Sequence, residues 1–187
     1  MTTRDLVLSA LFSAIVVVLG IVPPITLGII PVPITVQSMG AMLAGTILGA
    51  KRAGTAFLIV VALVAMGLPV LAGGRGGLAV LMGPTGGYIL GWIVAAFVTG
   101  YLSERLVREN TGAWRQLGGF FIASVLGGLV CLYAIGMPWV TAVAGTPFSA
   151  VALGSLAFVP GDLIKAAVTA AVARSVLAAY PLLPQRA

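Results

Sequence analysis

Apolar residues run along this chain in long blocks at roughly 6–22, 36–50, 53–71, 79–103, 117–136 and 150–178, separated by charge or by clusters of Gly and Pro. Most of these blocks are long enough to cross the hydrocarbon core of a bilayer as a helix, so the pattern predicts about six transmembrane helices. The second block is short, and the segment PPITLGIIPVPITVQ ahead of it carries too much Pro to continue a helix. That block is expected to be tilted or partly re-entrant. The expected fold class is an all-α integral membrane protein, with residues 1–187 forming a single transmembrane domain.

Composition supports this reading: 60% of the residues are apolar and only 7% are charged. A soluble chain carries roughly a quarter charged residues, and this one in water would expose far more apolar surface than keeps a protein dispersed. The basic residue and apolar run at MTTRDLVLSALFSAIVVVLGIV resemble a secretory signal. The run is long enough to span, however, and no small-x-small cleavage site precedes Pro23 and Pro24, so it reads as a retained first helix.

The net charge of +6 does not form a basic patch, which argues against nucleic acid as a partner. Arg4, Lys51, Arg52, Arg105, Arg108, Arg115, Arg174 and Arg186 fall at the termini and in alternate loops, whereas only Arg75 falls in a loop of the opposite side. Lys and Arg are retained on the cytoplasmic side of inserted helices, so both termini are expected there. The outward loops PPITLGIIPVPIT, LAGGRGG and GMPWVTAVAGTPFS are rich in Gly and Pro and nearly uncharged. They are either ligand-lining covers or plain hairpin connections.

With no His and one cysteine, Cys131, the chain offers no transition-metal set and no internal disulfide, and no cofactor is expected. Cys131 reads as a small buried hydrophobe. Asp162 and Lys165, in FVPGDLIKAAVTAAVA, stand out because they share a helix face inside an apolar block. They form either a structural ion pair or a polar ligand site that accepts through the carboxylate and donates through the ammonium. Pro160 and Gly161 before them either unwind the helix or simply start it.

Arg75, flanked by Gly74 and Gly76, could bind a carboxylate or remain a solvated loop residue. In GPTGGYILGW, Thr85 and Tyr88 offer a polar contact and an aromatic platform, while Gly87 and Gly91 read as a close-packing pair. Thr35, Gln37 and Ser38 could serve a ligand or the backbone of their own loop. Trp92 and Trp139 are stacking candidates or interfacial anchors. Ala10 and Ala14, one turn apart in the first helix, allow another helix to approach.

Taken in order, MTTRDLVLSALFSAIVVVLG, PPITLGIIPVPITVQ, AGGRGG, GPTGGY and PGDLIK resemble the BioY family, the biotin-specific substrate-binding (S) components of bacterial energy-coupling-factor (ECF) vitamin transporters. The resemblance covers nearly the whole chain. It implies a six-helix S-component bundle in the inner membrane that binds biotin from the outer side, surrounded by membrane lipid. It also implies that Ala10 and Ala14 carry the family's Ala-x-x-x-Ala signature, which meets a transmembrane coupling (T) component bound to a pair of ABC ATPases. ATP hydrolysis would then lie in those partners, in keeping with the lack of a P-loop here. A dedicated coupling module, a shared one and a homo-oligomer acting alone all remain open.

The residues suit biotin: Asp162 matches the ureido N–H groups, Lys165 the ureido oxygen, Tyr88 part of the ring wall, and Arg75 with its glycines the valerate carboxylate. The reverse orientation, with Lys165 on the carboxylate, is equally open. An S component for another vitamin is the main alternative. A membrane enzyme is disfavoured because there is no His, no G-x-S-x-G and no paired-carboxylate site. A channel is disfavoured because the embedded polarity gathers near the outer ends instead of in files.

Overall fold

The computed structural model describes residues 1–26, 28 and 30–184, so Arg186 and part of the PPITLGIIPVPITVQ segment lie outside the described residues. Helix α1 (Thr3–Leu19) starts at a capping box in which the Thr2 hydroxyl accepts from Asp5 N–H and the Asp5 carboxylate accepts from Thr2 N–H. Ser9, Phe12, Ser13 and Val16 form its buried face, at helical spacing. Ser9 and Ser13 donate to the carbonyls of Arg52 and Ala56 and so stitch α1 to α3 (Ala50–Ala65). Between α1 and α2 (Gln37–Leu48) the chain doubles back, held by paired backbone bonds between Ile25 and Ile34.

A second loop follows α3 and is pinched by a backbone bridge between Leu71 and Arg75. The short α4 (Leu78–Met82) breaks at Gly83 before α5 (Gly86–Leu106). α5 packs against α2, α3 and the long helical run that follows it, Ala113–Ala144. Small residues permit this: Gly45 of α2 lies so close to α5 that a Cβ there would stand 2.8 Å from the Ala96 carbonyl oxygen. Gly100 of α5 presses in turn on the backbone of Gly49 and Ala50. Membrane helices gain little from burying apolar surface against one another, so such close backbone contact carries much of their association.

α6 (Ala113–Val125), a π-helical turn (Leu126–Cys131) and α7 (Leu132–Ala144) form one continuous helical run. α8 (Phe148–Leu156) and α9 (Val159–Ala179) meet at a 52° bend. By length and hydropathy, Gly86–Leu106 and Ala113–Ala144 are each able to cross a membrane, and the α8–α9 pair is a third if taken as one span.

The structure corrects the sequence reading in several places. The expected outer loop GMPWVTAVAGTPFS is largely helical, because α7 continues through Pro138 to Ala144. Pro is tolerated inside helices that neighbouring helices support, and Gly136 is packed directly on the Tyr88 ring. The 79–103 block is split at Gly83, and the 150–178 block at Ala157 and Phe158. Of the two readings of Pro160, the plain helix start is the one observed: it occupies the first turn of α9, where its missing N–H costs nothing. Cys131 is half-buried, not buried, at the end of the π turn.

The two ends of the bundle differ in character. At one end Arg52 pairs with Asp5 and donates to the Leu182 carbonyl, Arg4 donates to the Tyr180 hydroxyl, and Glu104 accepts the otherwise free Ala50 N–H. The opposite end carries the two loops and a cavity.

Candidate binding site

The cavity opens between the N-terminal ends of α2, α5 and α9 and the first turns of α7, and the segment 32–35 and Leu71 and Arg75 complete its wall. Its surface is mainly apolar, with Ile89, Trp92, Leu132 and Phe158 among the lining side chains. Three charged residues face it, Arg75, Asp162 and Lys165. The lining therefore carries two cations against one anion, which suits a monoanionic ligand. The free volume is about 60 Å³, whereas sites for small molecules usually measure roughly 300–1,000 Å³. A ligand larger than a few atoms must displace part of the wall, and the non-helical segments 32–35 and 71–75 are the parts least fixed by helix bonding.

Lys165 Nζ donates to Asp162 Oδ1 at 2.8 Å and to Ser38 Oγ at 2.9 Å. Tyr133 donates its hydroxyl to Asp162 Oδ2 at 2.6 Å. Asp162 is 7% exposed, so its charge is held by these partners and not by bulk water. The pair is not saturated. Lys165 retains one N–H, and both carboxylate oxygens retain acceptor capacity. Arg75 donates from Nε to the Ala72 carbonyl at 3.1 Å, and its terminal N–H groups make no hydrogen bond among the described residues. Tyr88 stands edge-on to Tyr133 with ring centroids 6.3 Å apart, its hydroxyl buried without a well-formed hydrogen bond.

Over residues 1–182 the sequence matches the profile of the BioY family. The chain belongs to the BioY family. Its relatives include the "Biotin transporter BioY" of Rhizobium etli, 58% identical over 187 residues with both chains fully covered. The protein of the same description from Rhodobacter capsulatus is 47% identical, covering 92% of this chain and 93% of its own. The fold matches a crystal structure described as the S-component for biotin from an ECF-type ABC transporter, with TM-score 0.87, 35% identity and 94% of each chain covered. This BioY chain is accordingly an all-α membrane protein with the S-component fold.

Of the residues singled out in the BioY chain's sequence, Asp162, Lys165, Arg75, Tyr88, Thr85 and Gln37 all line the cavity, as do Thr35, Ser38 and Trp92. Gln37 does so with its amide already committed. Its nitrogen donates to the Val16 and Val70 carbonyls and its oxygen accepts from Ala72 N–H, which ties the second loop to α1. Gly74 and Gly76 are not among the lining residues; they shape the loop, Gly74 with φ +68° and Gly76 with its Cα against the Leu68 carbonyl. Trp139 also lies away from the cavity, packed on Gly87 and donating to the Gly83 carbonyl.

Ala10 and Ala14 sit on the exposed face of α1 with Leu6, Val7, Leu11, Ile15 and Val18, opposite its buried serines. Tyr133 is the polar cavity-lining residue on the charged pair that sequence reasoning missed. In LGGLVCLYAIG it reads as one more apolar-block aromatic, and its only signal is a hydroxyl inside a presumed span.

Proposed function

We propose that this chain is the biotin-capturing S component of an ECF-type ABC transporter in the bacterial inner membrane. The observation that carries this reading is the unsaturated Asp162–Lys165 pair on the wall of a mainly apolar cavity that Arg75 also lines, in a member of the BioY family. Biotin's ureido group presents two N–H donors and one oxygen, which correspond to the free acceptor capacity of Asp162 and the free N–H of Lys165. Once the wall is displaced to admit them, the fused rings would pack against Trp92, Phe158 and Tyr88, and the valerate carboxylate would meet the terminal N–H groups of Arg75.

In this reading residues 1–187 form one transmembrane domain with six crossings and both termini in the cytoplasm, and the cavity faces outward. The exposed Ala10–Ala14 face of α1 receives the T component, which is bound to a pair of ABC ATPases that hydrolyse ATP. This chain contributes binding and no catalysis.

Equilibrium binding of biotin to the purified, detergent-solubilised protein, with riboflavin and thiamine as controls, tests the assignment. Tight and selective biotin binding is the expected result. A folded, ligand-free protein that ignores biotin would overturn it.

A further inference from the structure

Hydroxyls from two other helices grip the charged pair of α9 from either flank. On one side Tyr133 of α7 donates to Asp162 Oδ2. On the other, Ser38 of α2 accepts from Lys165 Nζ, while its own proton goes to the Thr35 carbonyl at 3.2 Å. Ser38 is thereby fixed as an acceptor toward the ammonium and cannot compete for the carboxylate.

Tyr133 owes its inward position to the π turn. The buried face of α6 and the π turn runs through Phe120, Ala123, Ser124, Gly127 and Gly128, and a regular helix would continue it through Cys131, Leu132 and Ile135, with Tyr133 on the far side. The wider turn advances that face by one residue, so Leu132, Tyr133 and Gly136 are the buried ones. Gly127, against Thr99, and Gly128, against Met42, make room for it.

An acid and an amine one turn apart in surroundings of low dielectric draw together and satisfy each other. Here the two are in contact at 2.8 Å, and the flanking hydroxyls fix how: Tyr133 takes the carboxylate oxygen that Lys165 does not use, and Ser38 takes a second ammonium N–H. What remains beside the cavity is a carboxylate already partly satisfied and an ammonium with one N–H that demands an acceptor.

We propose that Tyr133 and Ser38 are positioning residues that make this site prefer a neutral cyclic urea to its cationic guanidine counterpart. The proposal rests on the biotin reading. A urea oxygen takes the free Lys165 N–H, whereas a guanidinium leaves that donor unpaired and sets a second cation against it. Tyr133 sharpens the preference because a carboxylate already hydrogen-bonded rewards an incoming cation less.

The test uses the full-length protein in detergent, with Tyr133→Phe, Ser38→Ala and Ser38→Thr beside wild type. Dissociation constants are measured for biotin, for desthiobiotin, which keeps the urea but lacks the thioether ring, and for iminobiotin, whose ring is cationic at neutral pH. The melting temperature of each ligand-free protein is recorded. Tyr133→Phe and Ser38→Ala are expected to weaken biotin and desthiobiotin about tenfold each. Iminobiotin should weaken by less than about threefold, so the preference narrows, and Ser38→Thr should restore it. Wild-type affinities in both variants would overturn the proposal. So would an equal loss for all three ligands with a matching fall in melting temperature, which is the mark of a purely structural role. If wild type itself fails to bind biotin, the function reading falls, and the proposal with it.

Discussion

Two ion pairs of similar length stand at opposite ends of this bundle, Arg52–Asp5 at 2.6 Å and Lys165–Asp162 at 2.8 Å, and their surroundings differ. The first joins two helices, and its remaining capacity is turned on the chain itself: Asp5 also accepts the Thr2 N–H, and Arg52 also donates to the Leu182 carbonyl. The second lies within one helix, is steadied by side chains from two others, and keeps hydrogen-bonding capacity beside a cavity. Charge type and distance do not separate a staple from a binding group. The destination of the leftover donors and acceptors does.

The largest expected effect comes from Asp162→Asn, which trades the carboxylate for a group that mismatches both Lys165 and a urea. Biotin affinity should fall by about a hundredfold or more, since truncating one partner of a buried charged pair costs about 2–5 kcal/mol. Calorimetric titration checks this, and unchanged affinity would return the pair to a structural role. Gln37→Leu comes next. It strips the Ala72 N–H and the Val16 and Val70 carbonyls of their side-chain partner, at an expected cost of about 1–3 kcal/mol in stability, read as a lower melting temperature.

Arg75→Gln should weaken biotin by about tenfold and leave biotin methyl ester nearly unaffected, if the guanidinium meets the valerate. Equal effects on both would remove Arg75 from the carboxylate. The smallest effect belongs to Asp5→Asn, which should leave biotin binding intact and lower the melting temperature slightly at neutral pH. The Thr2 N–H, and then Arg52, hold the Asp5 carboxyl below its ordinary 3.8, at about 2. Its contribution is therefore full above about pH 4 and is lost as pH falls through about 2, where wild type and variant should converge. A difference that persists below that range would refute the staple.

Asp162 and Lys165 were legible in the sequence because a charge inside an apolar block is costly and must be accounted for. The pattern of apolar blocks likewise pointed to a helical membrane bundle. The loop function of Gly74 and Gly76 was not legible, since a glycine beside Arg75 looks the same whether it cradles a ligand or turns the chain. The length of α7 was hidden by Gly136 and Pro138, which read as a break in isolation but are supported by Tyr88 and neighbouring helices. Tyr133 was hidden for a related reason: one π turn decides which way it points, and LGGLVC carries no mark of that turn. Local sequence reports the cost of burying a group, whereas direction comes from packing.

Gln37 has a mechanical consequence. A single amide bonds α1 at Val16 and the cavity loop at Val70 and Ala72, so helix and loop are not independent degrees of freedom. The far side of that same helix is the exposed strip that bears Ala10 and Ala14. The helix that bears that strip is therefore tied through one buried amide to the loop whose Leu71 and Arg75 line the cavity.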